Sequence, residues 1–222
     1  MVKVAVILSG CGVYDGAEIH ESVITLLALD RAGADVKCFA PDVNYMHVIN
    51  HISGAVVENE TRNVLIESAR IVRGEIKDLG KANPLDFDAA IFPGGFGVAK
   101  NLCDFAVNGV NCTVNPEVKR FVLEAFSAGK PMGFMCIAPA LLSKIFEGRN
   151  IDLKVTIGSD PETASAIEKM GARHIVYSVD NCLVDVENKI VTTPAYMSAK
   201  KISEAAAGIE KLVKEVIALT GK

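Results

Sequence analysis

Lys130-Pro131-Met132-Gly133-Phe134-Met135-Cys136-Ile137-Ala138-Pro139-Ala140-Leu141-Leu142 passes from one kind of structure to another within thirteen residues. The apolar run after Pro131 is long enough for a buried strand and too short for a helix. From Ala138 the pattern becomes Ala-Pro-Ala-Leu-Leu-Ser-Lys-Ile-Phe, which predicts a helix with Pro139 in its first turn, where a missing N–H costs nothing. Cys136 falls at the junction. A residue between a parallel strand and the following helix sits at the carboxyl edge of the sheet, where open α/β sheets bind ligands. The helix N-terminus there favours thiolate over thiol, so a thiol pKa lowered from about 8.5 toward the 3.5–7.5 range is expected. This is the arrangement of a nucleophile elbow with Cys in place of Ser. A small buried hydrophobe, a common fate of free cysteine, fits the same position, and the stretch alone leaves both readings open.

Working outward, strands and helices alternate. Residues 2–8 read as a buried first strand, 9–16 as a Gly-rich turn, and 18–32 as a helix with Ile19, Val23, Leu26 and Leu27 as its core stripe. Gly33 closes that helix and 35–40 forms a second strand, completing a βαβ unit. Residues 41–54 are irregular and 62–73 helical, while 75–84 look like an excursion away from the sheet. A strand at 88–92 stops at Pro93-Gly94-Gly95-Phe96-Gly97. A loop region at 102–115 leads to a helix at 116–128 and then to the Cys136 elbow. Beyond it come a strand at 153–157, a helix at 161–170, a hairpin of 182–186 with 189–193, and a final helix at 198–219. The expected fold is α/β, a mostly parallel central sheet flanked by helices on both faces, in a single domain over residues 1–222.

Composition narrows the function classes. Half of the 222 residues are hydrophobic, enough for a sizeable core, and the net charge of −4 argues against nucleic-acid or anionic-membrane binding. No apolar run approaches the roughly 20 residues of a membrane span. Val4 to Leu8 reads as a first strand and not as a secretory leader. Six cysteines at 11, 38, 103, 112, 136 and 182, with no C-x-x-C pair, point to free thiols in a reducing compartment, and the cytoplasm is the expected location.

Four further patterns bear on chemistry. Gly10-x-Gly12-x-x-x-Gly16 has one residue too many for a dinucleotide fingerprint, and Tyr14 and Asp15 add bulk and negative charge where pyrophosphate would lie. A tight loop over a pocket is the better reading, with no cofactor. His47 and His51 stand at i and i+4 without the Glu of a zincin, in a stretch without helical pattern, so no metal is expected. Gly94 and Gly95 follow a strand at the same sheet edge as Cys136, where glycine lets backbone N–H groups approach a ligand. Glu18 and Glu21 occupy the first turn of the first helix at that edge. Either could exchange a proton with the Cys136 sulfur or serve only the helix dipole.

The acidic helix turn, the Pro-Gly-Gly after a mid-chain strand and the strand–Cys–helix elbow together resemble the PfpI/parkinsonism-associated deglycase superfamily. Within it, the segments Ser9 to Gly16, Glu18-Ile19-His20-Glu21, Thr61 to Leu65, Phe92 to Gly97 with Ala99 to Leu102, Cys136-Ile137-Ala138-Pro139 and Val191 to Tyr196 resemble the enhancing-lycopene-biosynthesis branch. The resemblance implies a flavodoxin-like, class I glutamine amidotransferase-like three-layer sandwich. It implies Cys136 as nucleophile, Glu21 as its acidic partner, and Gly94, Gly95 and Ile137 around the oxyanion and substrate. The activity implied is that of a glyoxalase, or of a deglycase observed as one. One departure stands out. Many relatives carry a His just after Cys or beyond the elbow helix, where this chain has Ile137 and Gly158. Without that base, amide hydrolysis and glutamine amidotransfer fit poorly, whereas an aldehyde needs no such help.

The expected reaction is therefore cofactor-independent conversion of glyoxal or methylglyoxal to glycolate or lactate through a Cys136 hemithioacetal. The substrate is a small dicarbonyl, nucleic acid and membrane are not partners, and a homodimer is expected. The alternative is a redox-responsive or regulatory protein acting on isoprenoid biosynthesis through a partner, without turnover.

Overall fold

Alternating side chains along the first strand decide the layering. The computed structural model describes residues 1–222. In β1 (Lys3–Ile7), Val4 and Val6 turn to one core, and Ala5 and Ile7 to the other. That is the two-residue period of a strand buried on both faces. The order along the chain is β1, α1 (Ile19–Arg31), β2 (Asp35–Ala40), α2 (Val64–Ile71), β3 (Ile76–Asp78), β4 (Ala89–Phe92), α3 (Phe105–Asn108), α4 (Pro116–Ser127), β5 (Met132–Met135), α5 (Ala138–Phe146), β6 (Lys154–Val155), α6 (Pro161–Lys169), β7 (Arg173–His174), β8 (Leu183–Asp185), β9 (Ile190–Thr193) and α7 (Ile202–Ala218). Seven strands form one sheet in the order β3-β2-β1-β4-β5-β9-β8, parallel throughout except for β8 against β9. One core packs α1, α2 and α7 on one face, and the other packs α4, α5 and α6 on the opposite face. The three-layer α/β architecture is the one expected. No helix is long and apolar enough to cross a membrane.

Three local expectations need correction. Within residues 75–84, Ile76 to Asp78 do not leave the sheet but pair in parallel with Cys38 to Ala40 of β2 as an edge strand, and only the short turns from Leu79 onward depart from it. The strand expected at 153–157 shrinks to Lys154–Val155. It pairs with Arg173–His174 in a separate two-stranded ribbon and does not join the main sheet. Of the stripe assigned to α1, only Leu26 packs against the core. Ile19, Val23 and Leu27 are 44%, 46% and 43% exposed, while the face turned inward is Glu21, Ser22, Ile24, Thr25 and Leu29. Periodicity marks a face, but here polar residues serve the buried face and hydrophobic ones the outer.

Helix ends follow their capping residues. Asn63, Asn115 and Asp160 accept N–H bonds at the starts of α2, α4 and α6. At α1 the cap is Glu18, whose Oε2 accepts from the Glu21 N–H at 2.7 Å. Phe92 at the end of β4 and Phe134 in β5 stack at 4.6 Å between centroids and 9° between planes. This pair ties together the two strands whose next residues build the site, Gly94-Gly95 and Cys136.

Candidate active site

Cys136 leaves β5 with φ +58, a left-handed conformation that a side-chain-bearing residue adopts at a cost of about 1–3 kcal/mol. That turn lifts Sγ to the carboxyl edge of the sheet just ahead of α5, and the backbone N–H of Cys136 is held by the Thr193 carbonyl at 3.1 Å. The thiol forms part of the floor of a pocket of about 280 Å³ lined by Val13, Glu18, Gly95, Phe96, Tyr196 and Met197 among others. Most of the lining is apolar, and none of it is histidine. The Gly-rich 9–16 turn does close over this pocket, through Val13.

Glu21 is fully buried behind the thiol. Its Oε2 accepts from the Gly94 N–H at 2.8 Å and its Oε1 from the Tyr196 N–H at 3.1 Å, beside the Cys136 side chain. Burial pushes its pKa up from the usual 4.5 to about 7, against the pull of those N–H groups. The nearby backbone N–H groups of Gly95 and Ile137 favour the ionised sulfur. The sequence thus places Cys136, Glu21, Gly95 and Ile137 at one point.

Gly94 comes to the same point in another role. Its N–H is spent on Glu21, so it does not face an oxyanion. It lies so close that a β-carbon there would sit 2.4 Å from Cys136 Cβ and 2.7 Å from Glu21 Oε2. The thiol pKa also departs from expectation. It is raised well above the ordinary value, first by burial and then by the Glu21 charge, while the Gly95 and Ile137 N–H groups pull the other way. The N-terminus of α5 cannot offset near-complete removal from water, with only 7% of Cys136 exposed. The cysteine and the carboxyl group are best described as a coupled pair that gives up one proton near neutrality and the second only at high pH.

Other sequence candidates lie elsewhere. His51 accepts the Tyr14 N–H at 3.2 Å and its Nδ1 bonds the Ile49 carbonyl at 3.0 Å, beside the buried Asp15. His174 lies by Ile157 in the small ribbon. The six cysteines are all free. Sequence reasoning missed Tyr196, which lines the pocket, and His20 outside it, whose Nδ1 shares a 2.8 Å hydrogen bond with the Tyr196 Oη. They stand 176 residues apart, and no spacing rule joins them.

No protein-family model matches the chain. It is 51% identical over 229 residues to the human mitochondrial protein "Glutamine amidotransferase-like class 1 domain-containing protein 3", covering 99% of this chain and 84% of that protein. The crystal structure of an isoprenoid biosynthesis protein with amidotransferase-like domain from Ehrlichia chaffeensis superposes with a TM-score of 0.92 at 36% identity, covering 99% of each chain. Glyoxalase III from Candida albicans superposes at 0.63 with 16% identity, covering 98% of this chain and 97% of that one, which shows the shared fold. With a strand–Cys–helix elbow at its center and those full-length likenesses, the chain belongs to the family of glutamine amidotransferase-like class 1 domain proteins.

Proposed function

We propose that this protein is a cofactor-independent glyoxalase of the enhancing-lycopene-biosynthesis branch, acting on glyoxal or methylglyoxal. The observation that carries the reading is the Cys136–Glu21 pair: a thiol on a strained elbow at the floor of a small apolar pocket, backed by a buried carboxyl group that titrates near 7. A general acid–base works best with a pKa near the operating pH.

The chemistry follows the proton. Glu21 takes the Cys136 proton as sulfur adds to the aldehyde carbon, then returns it to the new alkoxide to give a hemithioacetal. The nearby Gly95 and Ile137 N–H groups, which favour the ionised sulfur, stabilise charge as it develops there. Glu21 next removes the hydrogen of the former aldehyde carbon, giving an enediol, and delivers a proton to the adjacent carbon. The result is a thioester of Cys136 with the 2-hydroxy acid. Water cleaves it, releasing glycolate or lactate and restoring the thiol. A small, mostly apolar pocket without histidine suits an aldehyde better than an amide.

The test is a steady-state assay with glyoxal, methylglyoxal and glycated amines beside Cys136→Ala. Turnover by the wild type and none by the variant is expected, and equal turnover removes the mechanism. Deglycase activity would show as faster release from the glycated amine than from the free dicarbonyl. The regulatory reading has in its favour the name of the Ehrlichia relative. It requires Cys136 to take up oxygen from mild peroxide before the other five thiols, read by intact mass.

A further inference from the structure

Glu21 can serve the carbon atoms of the substrate, but the reaction also moves protons between two oxygens. Glu21 lies behind Cys136, next to the sulfur and so to the carbon bonded to it, while the inner carbonyl oxygen faces the groups that line the rest of the pocket. The pocket has few other polar side chains. Glu18 is held as the α1 cap through Oε2. Thr163 lies at the start of α6. Tyr196 is the remaining one with an acidic proton, and it does not stand alone. Its backbone N–H is anchored on Glu21 Oε1 and its hydroxyl bonds His20 Nδ1 at 2.8 Å, with ring centroids 5.7 Å apart. Ala195, immediately before it, has φ +43, so a strained turn points this residue at the site. His20 is exposed on the first turn of α1 and connects the pair to solvent.

We propose that Tyr196 and His20 form a second acid–base pair, which protonates the substrate's inner carbonyl oxygen while Glu21 handles the carbons. This rests on the glyoxalase reading above. As Glu21 removes the hydrogen from the hemithioacetal carbon, the electron pair moves to the carbon–carbon bond and the inner carbonyl opens. Tyr196 Oη–H gives its proton to that oxygen, and His20 returns one to Tyr196. When the enediol collapses to the thioester, the outer hydroxyl releases its proton and restores the pair, so no proton is gained or lost overall. Glu18, Glu21, Cys136 and His20 are the titratable groups around Tyr196. Burial, then Glu18 and Glu21, raise the pKa of the phenol, which keeps it protonated and able to donate at neutral pH.

The test compares Tyr196→Phe and His20→Gln with wild type and Cys136→Ala, using methylglyoxal across pH 5–9. Tyr196→Phe is expected to lower kcat about 100-fold, the scale of one acid–base group, with KM changed less than about threefold. His20→Gln is expected to lower kcat by roughly 10-fold, with KM changed little. Iodoacetamide labelling of Cys136 should proceed at the wild-type rate in both variants, which separates loss of proton transfer from loss of structure. Wild-type kcat in both variants, with Cys136→Ala inactive, overturns the pair and leaves the glyoxalase reading standing. Labelling lost along with turnover also overturns it, as a structural role. No turnover by the wild-type protein overturns both.

Discussion

At the scale of single residues, the sharpest consequence is the pH behaviour of Glu21. Its carboxyl group is fully buried and titrates at about 7 in place of 4.5. A group whose folded pKa is raised binds more protons folded than unfolded, so stability falls as pH rises from about 4.5 to 7 and levels off above. A displacement of that size corresponds to about 3 kcal/mol. Glu21→Gln should abolish this slope, and urea unfolding at pH 5 and pH 8 for the two proteins checks it. The same ionisation should govern the thiol. Because the Glu21 charge helps to raise the thiol pKa, Glu21→Leu should label with iodoacetamide faster than wild type at pH 7. Slower labelling of Glu21→Leu would show instead that Glu21 supports the thiolate through a shared proton. Gly94→Ala should lose Cys136 labelling altogether, because the new methyl would overlap both members of the pair.

At the scale of elements, α1 shows how a helix can be built around a site and not around a core stripe. Its inward face carries Glu21, Ser22 and Thr25 beside Ile24 and Leu29. Ser22 Oγ donates to the Glu18 carbonyl at 2.7 Å, and Thr25 Oγ1 lies 3.8 Å from Met135 Sδ, so the buried hydroxyls have partners. The apolar residues Ile19, Val23 and Leu27 are left facing outward. Ile24→Ala should therefore cost about 2–5 kcal/mol by cavity formation, while Val23→Ser should stay within about 0.5 kcal/mol. Thermal unfolding of both variants reads the difference, and the opposite ranking would restore the stripe expected from periodicity.

At the scale of the whole molecule, stability and site share the same central strands. Phe92 and Phe134 are completely buried and stacked beneath the loops that carry Gly94, Gly95 and Cys136. Phe134→Ala should cost about 3–5 kcal/mol and lower the melting temperature by roughly 10 °C, read by calorimetry. The strand–Cys–helix elbow, the Gly94-Gly95 turn and the parallel sheet were legible in the sequence because each is written in neighbouring residues. Short apolar runs, Gly and Pro punctuation and a change of period from two to 3.6 act over a few positions. Other features had no local signature. The edge pairing of β3, the burial of Glu21, the raised thiol pKa and the bond between His20 and Tyr196 arise from segments far apart in the chain. Burial and charge depend on what packs around a group in three dimensions, so only the tertiary structure decided whether Cys136 would be a free thiolate or half of a coupled pair.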